Sequence, residues 1–457
     1  MIRRYRSSST RIVDSILGIL NLFSYGLPMP QKNFLTEITV GIICAQSSVL
    51  SKIARSIADL ADLKAVYKRL DKNLGLYDLS RVYERAQAQM ISHIDSSYLF
   101  IFDPSEVIKP FAKSMEGIAL VRDGSAAPRR VKDDKTGKMK KVPVLKPGYP
   151  LRVAIAMDST KEILPVELSL YSSASESFLS SNDENIQALE NFLQRTHFQP
   201  TVVLDREFDV FAIMRHFCEL RQKFIIRITK NRKFFLPDEK RSPKQKTYTR
   251  EEMSEKWAYL ETKQVINFTH KGRTRPTLCS FRATRVKLLS EEKKQETFRD
   301  RGDLDALILV RVQLHKVKGI PTLYLLTTNR PVTELELQNV GLSYLARWNI
   351  EEYIRFIKQH FELESFLVRD LGRMKNLIYA VYIATVILHL LTDIKSTRGL
   401  INHKYLVEQS LPVGEDKKLR NFFFYAYGRG LSRIVNLNKK LFENLNTEQK
   451  HSTKKAA

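Results

Sequence analysis

The stretch "PTVVLDREFDVFAIMRHFCELRQKFIIRITK", Pro200 to Lys230, decides the fold class. Its first part is a β-branched run ending in Asp205 and reads as a buried strand. "VFAIMRHFCELRQK" then reads as a helix, and "FIIRITK" as another strand. Upstream, "SYLFIFD" is a short apolar run closed by Asp103. "LRVAIAMDS" and "LPVELSLYS" form a hairpin turning around Ser159 to Ile163. A helix over "NDENIQALENFLQRTH", capped by Asn182 or Asp183, leads into the Asp205 strand. Strand, hairpin, helix, strand, helix, strand is a mixed α/β layer arrangement.

Outside this block the texture changes. Residues 1–95 read as helical, and 96–232 hold the α/β block. From 233 to 330 a polar, basic stretch gives way to apolar alternation in "AYLETKQVINF", "TLCSFRATRVKLL", "ALILVRVQL" and "TLYLLTTN", the pattern of a mainly β insertion. Helical patterning returns over 331–395 and continues through 396–457, where the tail "TEQKHSTKKAA" is expected to be disordered.

The chain has 457 residues, of which 43% are hydrophobic, enough for a large core in two to four structural units. Lys plus Arg is 75 and Asp plus Glu is 50, a formal charge of +25. Such an excess points to a polyanionic partner, nucleic acid before an anionic membrane surface. Cys44, Cys218 and Cys279 are far apart and form no paired Cys/His spacing, which excludes a zinc framework and fits a reducing cytoplasm. The basic, apolar N-terminus is interrupted by Asp14 and reads as an amphipathic helix rather than a leader. "NLIYAVYIATVILHLLTDI" is about as long as a short membrane span, but contains His389 and ends in Asp393, so a buried helix is expected and no membrane partner.

Asp103 and Asp205 each close a buried strand of one sheet, at the edge where α/β folds place ligands. Two carboxylates there repel unless a cation lies between them. Asp158, in the hairpin turn, reads as a turn cap instead, and Glu207 and Asp209 as helix N-terminal acids.

A third carboxylate is available in "YLARWNIEEYIRFIKQ", Tyr344 to Gln359. At about 100° per residue, Tyr344, Arg347, Glu351, Arg355 and Lys358 share an arc of roughly 80°. Ala346, Ile350, Ile354, Ile357 and Phe361 form the apolar arc beside it. A charged stripe bordering the core can line a groove, although Arg347, Glu351 and Arg355 also have the spacing of a ladder of helix-stabilising pairs. Three carboxylates would make an all-oxygen site for Mg²⁺ or Mn²⁺, and two such ions can activate a hydroxyl and stabilise the leaving oxygen of a phosphodiester. Lys64, Lys68 and Lys72 form a basic stripe on a second helix, suited to phosphate contact or equally to a solvated face.

"VVLDREFD", "YLLTTN" and the spacing Tyr344-x2-Arg347-x3-Glu351-x6-Lys358 resemble the insertion-sequence transposases of the DDE type, and more narrowly the insertion-sequence-four group with its Tyr/Arg/Glu/Lys motif. Asp205–Arg206 matches the second-aspartate motif, and Asp103 in "FIFDPSE" stands where the first is expected. The resemblance spans roughly Tyr98 to Phe366. It implies an RNase H-like core interrupted by a β insertion before the glutamate helix, with a helical N-terminal DNA-binding region.

It also implies that Asp103, Asp205 and Glu351 hold two divalent ions, and that Tyr344, Arg347 and Lys358 contact DNA phosphates. Arg206, Arg355, Arg227, with Lys230 and Arg232, and the basic loop from Arg129 to Lys146 are further candidate DNA contacts. Trp257 is a candidate for stacking on a flipped base, whereas Trp348 reads as packing. The implied activity is cut-and-paste transposition: cleavage at the terminal inverted repeats of a mobile element, then joining of the freed 3′-hydroxyls to target DNA. The implied partners are double-stranded DNA and a second copy of the chain in a paired-end complex, in a prokaryotic cytoplasm close to the nucleoid. An RNase H-like nuclease without strand transfer and an inactive DNA-binding derivative are the rival readings.

Overall fold

The computed structural model describes residues 2–58, 62–112, 114–132, 137, 139–237, 246–270, 273–288, 304–393, 396–410 and 423–438. The chain opens with five helices, α1 (Ile2–Phe23), α2 (Met29–Ala45), α3 (Leu50–Ile57), α4 (Leu63–Leu76) and α5 (Ser80–Ile91). Seven strands follow: β1 (Leu99–Phe102), β2 (Ser105–Ile108), β3 (Ala119–Arg122), β4 (Arg129–Lys132), β5 (Met139–Val142), β6 (Leu145–Met157) and β7 (Ile163–Leu170). Next come α6 (Ser181–Arg195), β8 (Thr201–Leu204), a 3₁₀ turn (Arg206–Phe208), α7 (Phe211–Glu219), β9 (Phe224–Arg227) and α8 (Arg250–Lys256). Four strands, β10 (Ala258–His270), β11 (Arg273–Leu288), β12 (Leu304–Leu314) and β13 (Leu323–Thr327), precede α9 (Glu334–Ala346), α10 (Trp348–His360), α11 (Leu371–Thr392), α12 (Thr397–Ser410) and α13 (Phe424–Leu437).

The fold is mixed α/β around one large sheet, in the order β10-β11-β12-β13-β9-β8-β1-β6-β2, with β3 and β7 also paired to β6. Within it, β7 and β6 are antiparallel, β6 and β1 are antiparallel, and β1, β8 and β9 run parallel. The parallel pair fixes the site, because Phe102 is in register with Leu204. The next residue of each strand, Asp103 and Asp205, therefore leaves the sheet at the same edge. Pro104 has no N–H to continue the ladder, and the chain resumes pairing with β6 as β2, from Ser105 opposite Leu151.

Strand alternation divides the core between the two faces of the sheet. Ile101, Val153, Ile155, Val203 and Ile225 face a helical layer that includes α2, α10 and α11. Phe100, Phe102, Ala154, Val202, Leu204 and Ile226 face the layer containing α6 and α7. α11 is the only helix, among the described residues, long and apolar enough to cross a membrane by itself. Apart from the partly buried Tyr379, its side chains from Leu377 to Leu388 are buried, and it packs against α2, α5, α12 and β7. Asn376 secures its start by bonding the Leu79 N–H and the Leu74 and Tyr77 carbonyls.

α1 is amphipathic, with Ile12, Val13, Ile16, Leu20 and Phe23 buried and Asp14 exposed. The N-terminal helices are tied to the end of α10 at Glu362, whose φ of 49° lies in the left-handed region. Its carboxylate accepts from Ser47 Oγ at 2.5 Å and from Lys52 Nζ at 2.6 Å, while Ser48 N donates to Phe361 O at 2.7 Å. Lys109, buried on the other side, donates to the carbonyls of Glu364 and Phe366 at 2.8 and 2.7 Å. These bonds fix the direction in which α10 leaves the site.

Several local expectations change. The cap of α6 is Ser180, which accepts from Asp183 N, two residues before the expected start. The basic connection after β3 contains an exposed β-hairpin, β4–β5, with residues 133–136 and 138 outside the described residues. Strands β10 to β13 continue the central sheet through β13, which pairs with β9. The expected single helix over Tyr344–Gln359 is two helices meeting at Arg347, whose N–H bonds Tyr344 O at 3.0 Å. That tighter i to i+3 spacing marks a 3₁₀-like junction. The tail from 447 to 457 lies outside the described residues.

Candidate active site

Asp103 and Asp205 approach from the sheet, and α9–α10 bring the opposing groups. α9 begins with a capping box between Thr333 and Glu336, and it lies close against β11. A Cβ added to Gly341 would stand 2.4 Å from the Phe281 ring, so only glycine permits this approach. Three residues later Tyr344 is buried, and its hydroxyl donates to Asp205 Oδ1 at 3.0 Å.

Arg347, at the junction of the two helices, is only 4% exposed. Its Nη1 donates to Asp103 Oδ2 at 2.9 Å and its Nη2 to Glu351 Oε1 at 2.8 Å. The guanidinium thus spans a strand end and the next helical turn. Its buried Nε has no hydrogen-bond partner among the described residues. Burial acts downward on the Arg347 pKa, but Tyr344, Asp205, Asp103 and Glu351 together raise it above its ordinary value.

The two aspartates respond in opposite directions, as expected for carboxyls sharing one site. Burial, reinforced by Asp205, Glu351 and Glu207, pushes Asp103 up to about 7 despite Arg347. Burial also acts upward on Asp205, but Arg347, the Arg206 N–H, the Tyr344 hydroxyl and Arg227 together hold it below the usual carboxylate range. Burial, followed by the Asp205 charge, raises the Tyr344 phenol, so it remains a donor at neutral pH.

Lys358, two turns beyond Glu351, points its ammonium between Glu106 and Glu364, at 3.6 and 3.4 Å. Neither glutamate is marked by the linear motif, although Glu106 follows Asp103 by only three residues. Arg355 is exposed and pairs with Glu352 at 2.5 Å rather than with Glu351. The helical ladder therefore exists only in part. Glu352 is the partner of a surface arginine, and Glu351, itself half-exposed, bonds the buried Arg347.

The remaining candidates divide. Arg206 is exposed beside Asp205, and the half-buried Arg227 ends β9 on the same side. Arg232 is engaged structurally, forming an ion pair with the buried Asp209 at 2.9 Å. Asp158 caps its turn, accepting from Thr160 N and Glu162 N. Trp257 packs edge-on against Tyr248 at 4.7 Å and joins the core on the α6–α7 side of the sheet. Trp348 packs against Phe268 at 5.3 Å. Lys64, Lys68 and Lys72 are exposed on α4, outside this network.

Among the described residues no three His, Cys, Asp or Glu side chains are close enough to share a metal ion. Arg347 stands between Asp103 and Glu351 and bonds both. The donor chemistry nevertheless fits a hard divalent cation: two carboxylates bond one guanidinium and a third, Asp205, acts on it coulombically. The guanidinium occupies the position of a cation there.

Acidic residues at parallel strand ends are thus faced by Arg347 from the α9–α10 junction and Lys358 from α10, charges of the kind that phosphoryl transfer uses. Residues 177–387 match the family model described as "Transposase DDE domain". That match supports a transposase of the DDE type, and it includes Asp205, Tyr344, Arg347, Glu351 and Lys358 but begins after Asp103. DDE transposases work with divalent metal ions. No curated protein matches the chain. Among solved structures, the chain aligns with a piggyBac transposase synaptic complex with hairpin DNA at 10% identity and a TM-score of 0.39, over 94% of this chain and 79% of that one. It also aligns with a Drosophila P element transposase strand transfer complex at 11% identity and a TM-score of 0.16, over 97% of this chain and 100% of that one. Both likenesses are too low to carry an argument.

Proposed function

We propose that this chain is a cut-and-paste transposase of the insertion-sequence-four group, acting on the DNA ends of its own element. The carrying observation is that Arg347 bonds both Asp103 and Glu351 while its neighbour on the motif, Tyr344, bonds Asp205. The order β7-β6-β1-β8-β9, with its antiparallel and parallel pairings, supports an RNase H-like core. In this reading residues 96–232 and 331–395 build that core, 233–330 are inserted into it, and the helical region 1–95 binds element ends. Residues 396–457 complete the helical side. The strongly basic composition supports double-stranded DNA as partner, and a homodimer would pair the two ends.

Asp103, Asp205 and Glu351 would hold Mg²⁺ or Mn²⁺, two ions per site. When bound, such ions activate the attacking oxygen and stabilise the departing one. Tyr344 keeps Asp205 ionised and oriented through its hydroxyl. Arg347 and Lys358 grip phosphates of the strand being cut, the arginine in a planar fork and the lysine as a point charge. Arg206, Arg227 and Arg355 add positive charge along the strand, and Lys64, Lys68 and Lys72 extend contact along the duplex. In the first step water attacks phosphorus and the P–O3′ bond breaks, leaving a 3′-hydroxyl. In the second step that hydroxyl attacks a target phosphodiester, and the target's own O3′ departs.

The experiment uses DNA flanking the gene, containing its short inverted repeats, with purified protein and Mg²⁺. Cleavage at the repeats and joining of pre-cleaved ends to a target plasmid is the expected result. Cleavage without joining would make the chain a nuclease, and binding without cleavage would make it an inactive derivative.

A further inference from the structure

Tyr344, Arg347 and Lys358 are each engaged with the protein's own carboxylates. Arg347 bonds Asp103 and Glu351, Tyr344 bonds Asp205, and Lys358 sits between Glu106 and Glu364. Arg347 is the decisive one, because it is buried and bridges two of the proposed metal ligands. A divalent ion taking both carboxylates must displace the guanidinium, since two unscreened cations at hydrogen-bond distance repel strongly. The displaced guanidinium then needs another anion, and a DNA phosphate offers the same fork geometry as a carboxylate. Conversely, a phosphate that captures Arg347 uncovers Asp103 and Glu351.

We propose that Arg347 is exchanged between the site carboxylates and a DNA phosphate, so that divalent cation and DNA each bind more tightly in the other's presence. This rests on the functional reading above. The exchange makes Arg347 a placeholder that keeps Asp103 and Glu351 compensated and their bonded oxygens occupied until DNA arrives. Linkage requires the coupling to be reciprocal, with typical factors of about 5–150. A chain working this way would load metal productively only where DNA is already seated.

The test is calorimetric titration of the full-length protein with Mn²⁺, with and without a saturating 20-base-pair duplex of mixed sequence. Wild type should bind Mn²⁺ at least about fivefold more tightly with the duplex, and Mn²⁺ should tighten duplex binding by the same factor. Arg347→Gln should bind Mn²⁺ more tightly than wild type without DNA and lose most of the coupling. Arg347→Lys, which keeps the charge but not the fork, should fall between them. Arg215→Gln, which removes an equal charge from α7 where it pairs with Glu219, should leave the coupling intact. Equal Mn²⁺ affinity with and without DNA would overturn the exchange, as would undiminished coupling in Arg347→Gln. Wild type alone decides the first point if a variant fails to fold. A protein that bound neither Mn²⁺ nor duplex would instead refute the functional reading, and the exchange with it.

Discussion

The hydroxyl of Tyr344 donates to the carboxylate of Asp205 at 3.0 Å, joining the last turn of α9 to the end of β8. A phenol buried beside a carboxylate is held there by two needs: its own proton requires an acceptor, and the carboxylate requires compensation. Tyr344→Phe removes only that oxygen. Because a hydrogen bond to a charged group contributes about 1.5–3 kcal/mol, the variant is expected to unfold at lower denaturant with an unchanged slope. The Asp205 pKa should rise as well, which carboxyl NMR reads directly. An unchanged midpoint and pKa would show that the bond contributes nothing.

The Asp103 carboxyl supplies a pH test in protein without added metal. Its native pKa of about 7 lies above the ordinary value of 3.8. Between those values the native state holds a proton that the unfolded chain has lost, so this group makes stability fall as pH rises from about 4 through 7. Asp103→Asn removes that dependence. The melting temperature of Asp103→Asn minus that of wild type should therefore increase with pH across this window and level off above it. A difference that stays flat from pH 4 to 8 would contradict the assignment.

Much of this site was legible in the sequence, for specific reasons. Asp103 and Asp205 could be found because each ends an apolar strand, and parallel pairing of Phe102 with Leu204 brings strand ends together. Glu351 stood out through helical spacing and the motif. The partners of the cations were not legible. Glu106 and Glu364 reach Lys358 from a strand and a loop, and no local periodicity encodes such tertiary pairing. The helical wheel places Arg347 beside Glu351, and the two pair, but its bond to Asp103 and the tightening of the chain at that residue lie outside what a wheel describes. In "LSSND" several polar residues could cap α6, and only the backbone selects Ser180. The β-rich segment was recognisable as strands, but its attachment to β9 through β13 depends on long-range register.

Lys358 tests the phosphate contacts separately from the carboxylates. Lys358→Ala should weaken duplex binding across all sequences and reduce the slope of log affinity against log salt by about one. Fluorescence anisotropy between 50 and 200 mM salt, on the order of the range where such slopes are measured, reads this. Arg355→Ala, which loses an exposed pair with Glu352, should change stability by less than about 0.5 kcal/mol.

The most direct measurement is strand cleavage of duplex DNA bearing the element's ends, in Mg²⁺, by wild type and by Asp103→Ala, Asp205→Ala and Glu351→Ala. Each variant should retain end binding by gel shift while cleavage falls by at least about 10³-fold, in line with losing a group that stabilises developing charge. Cleavage by Glu351→Ala at the wild-type rate would contradict the three-carboxylate site.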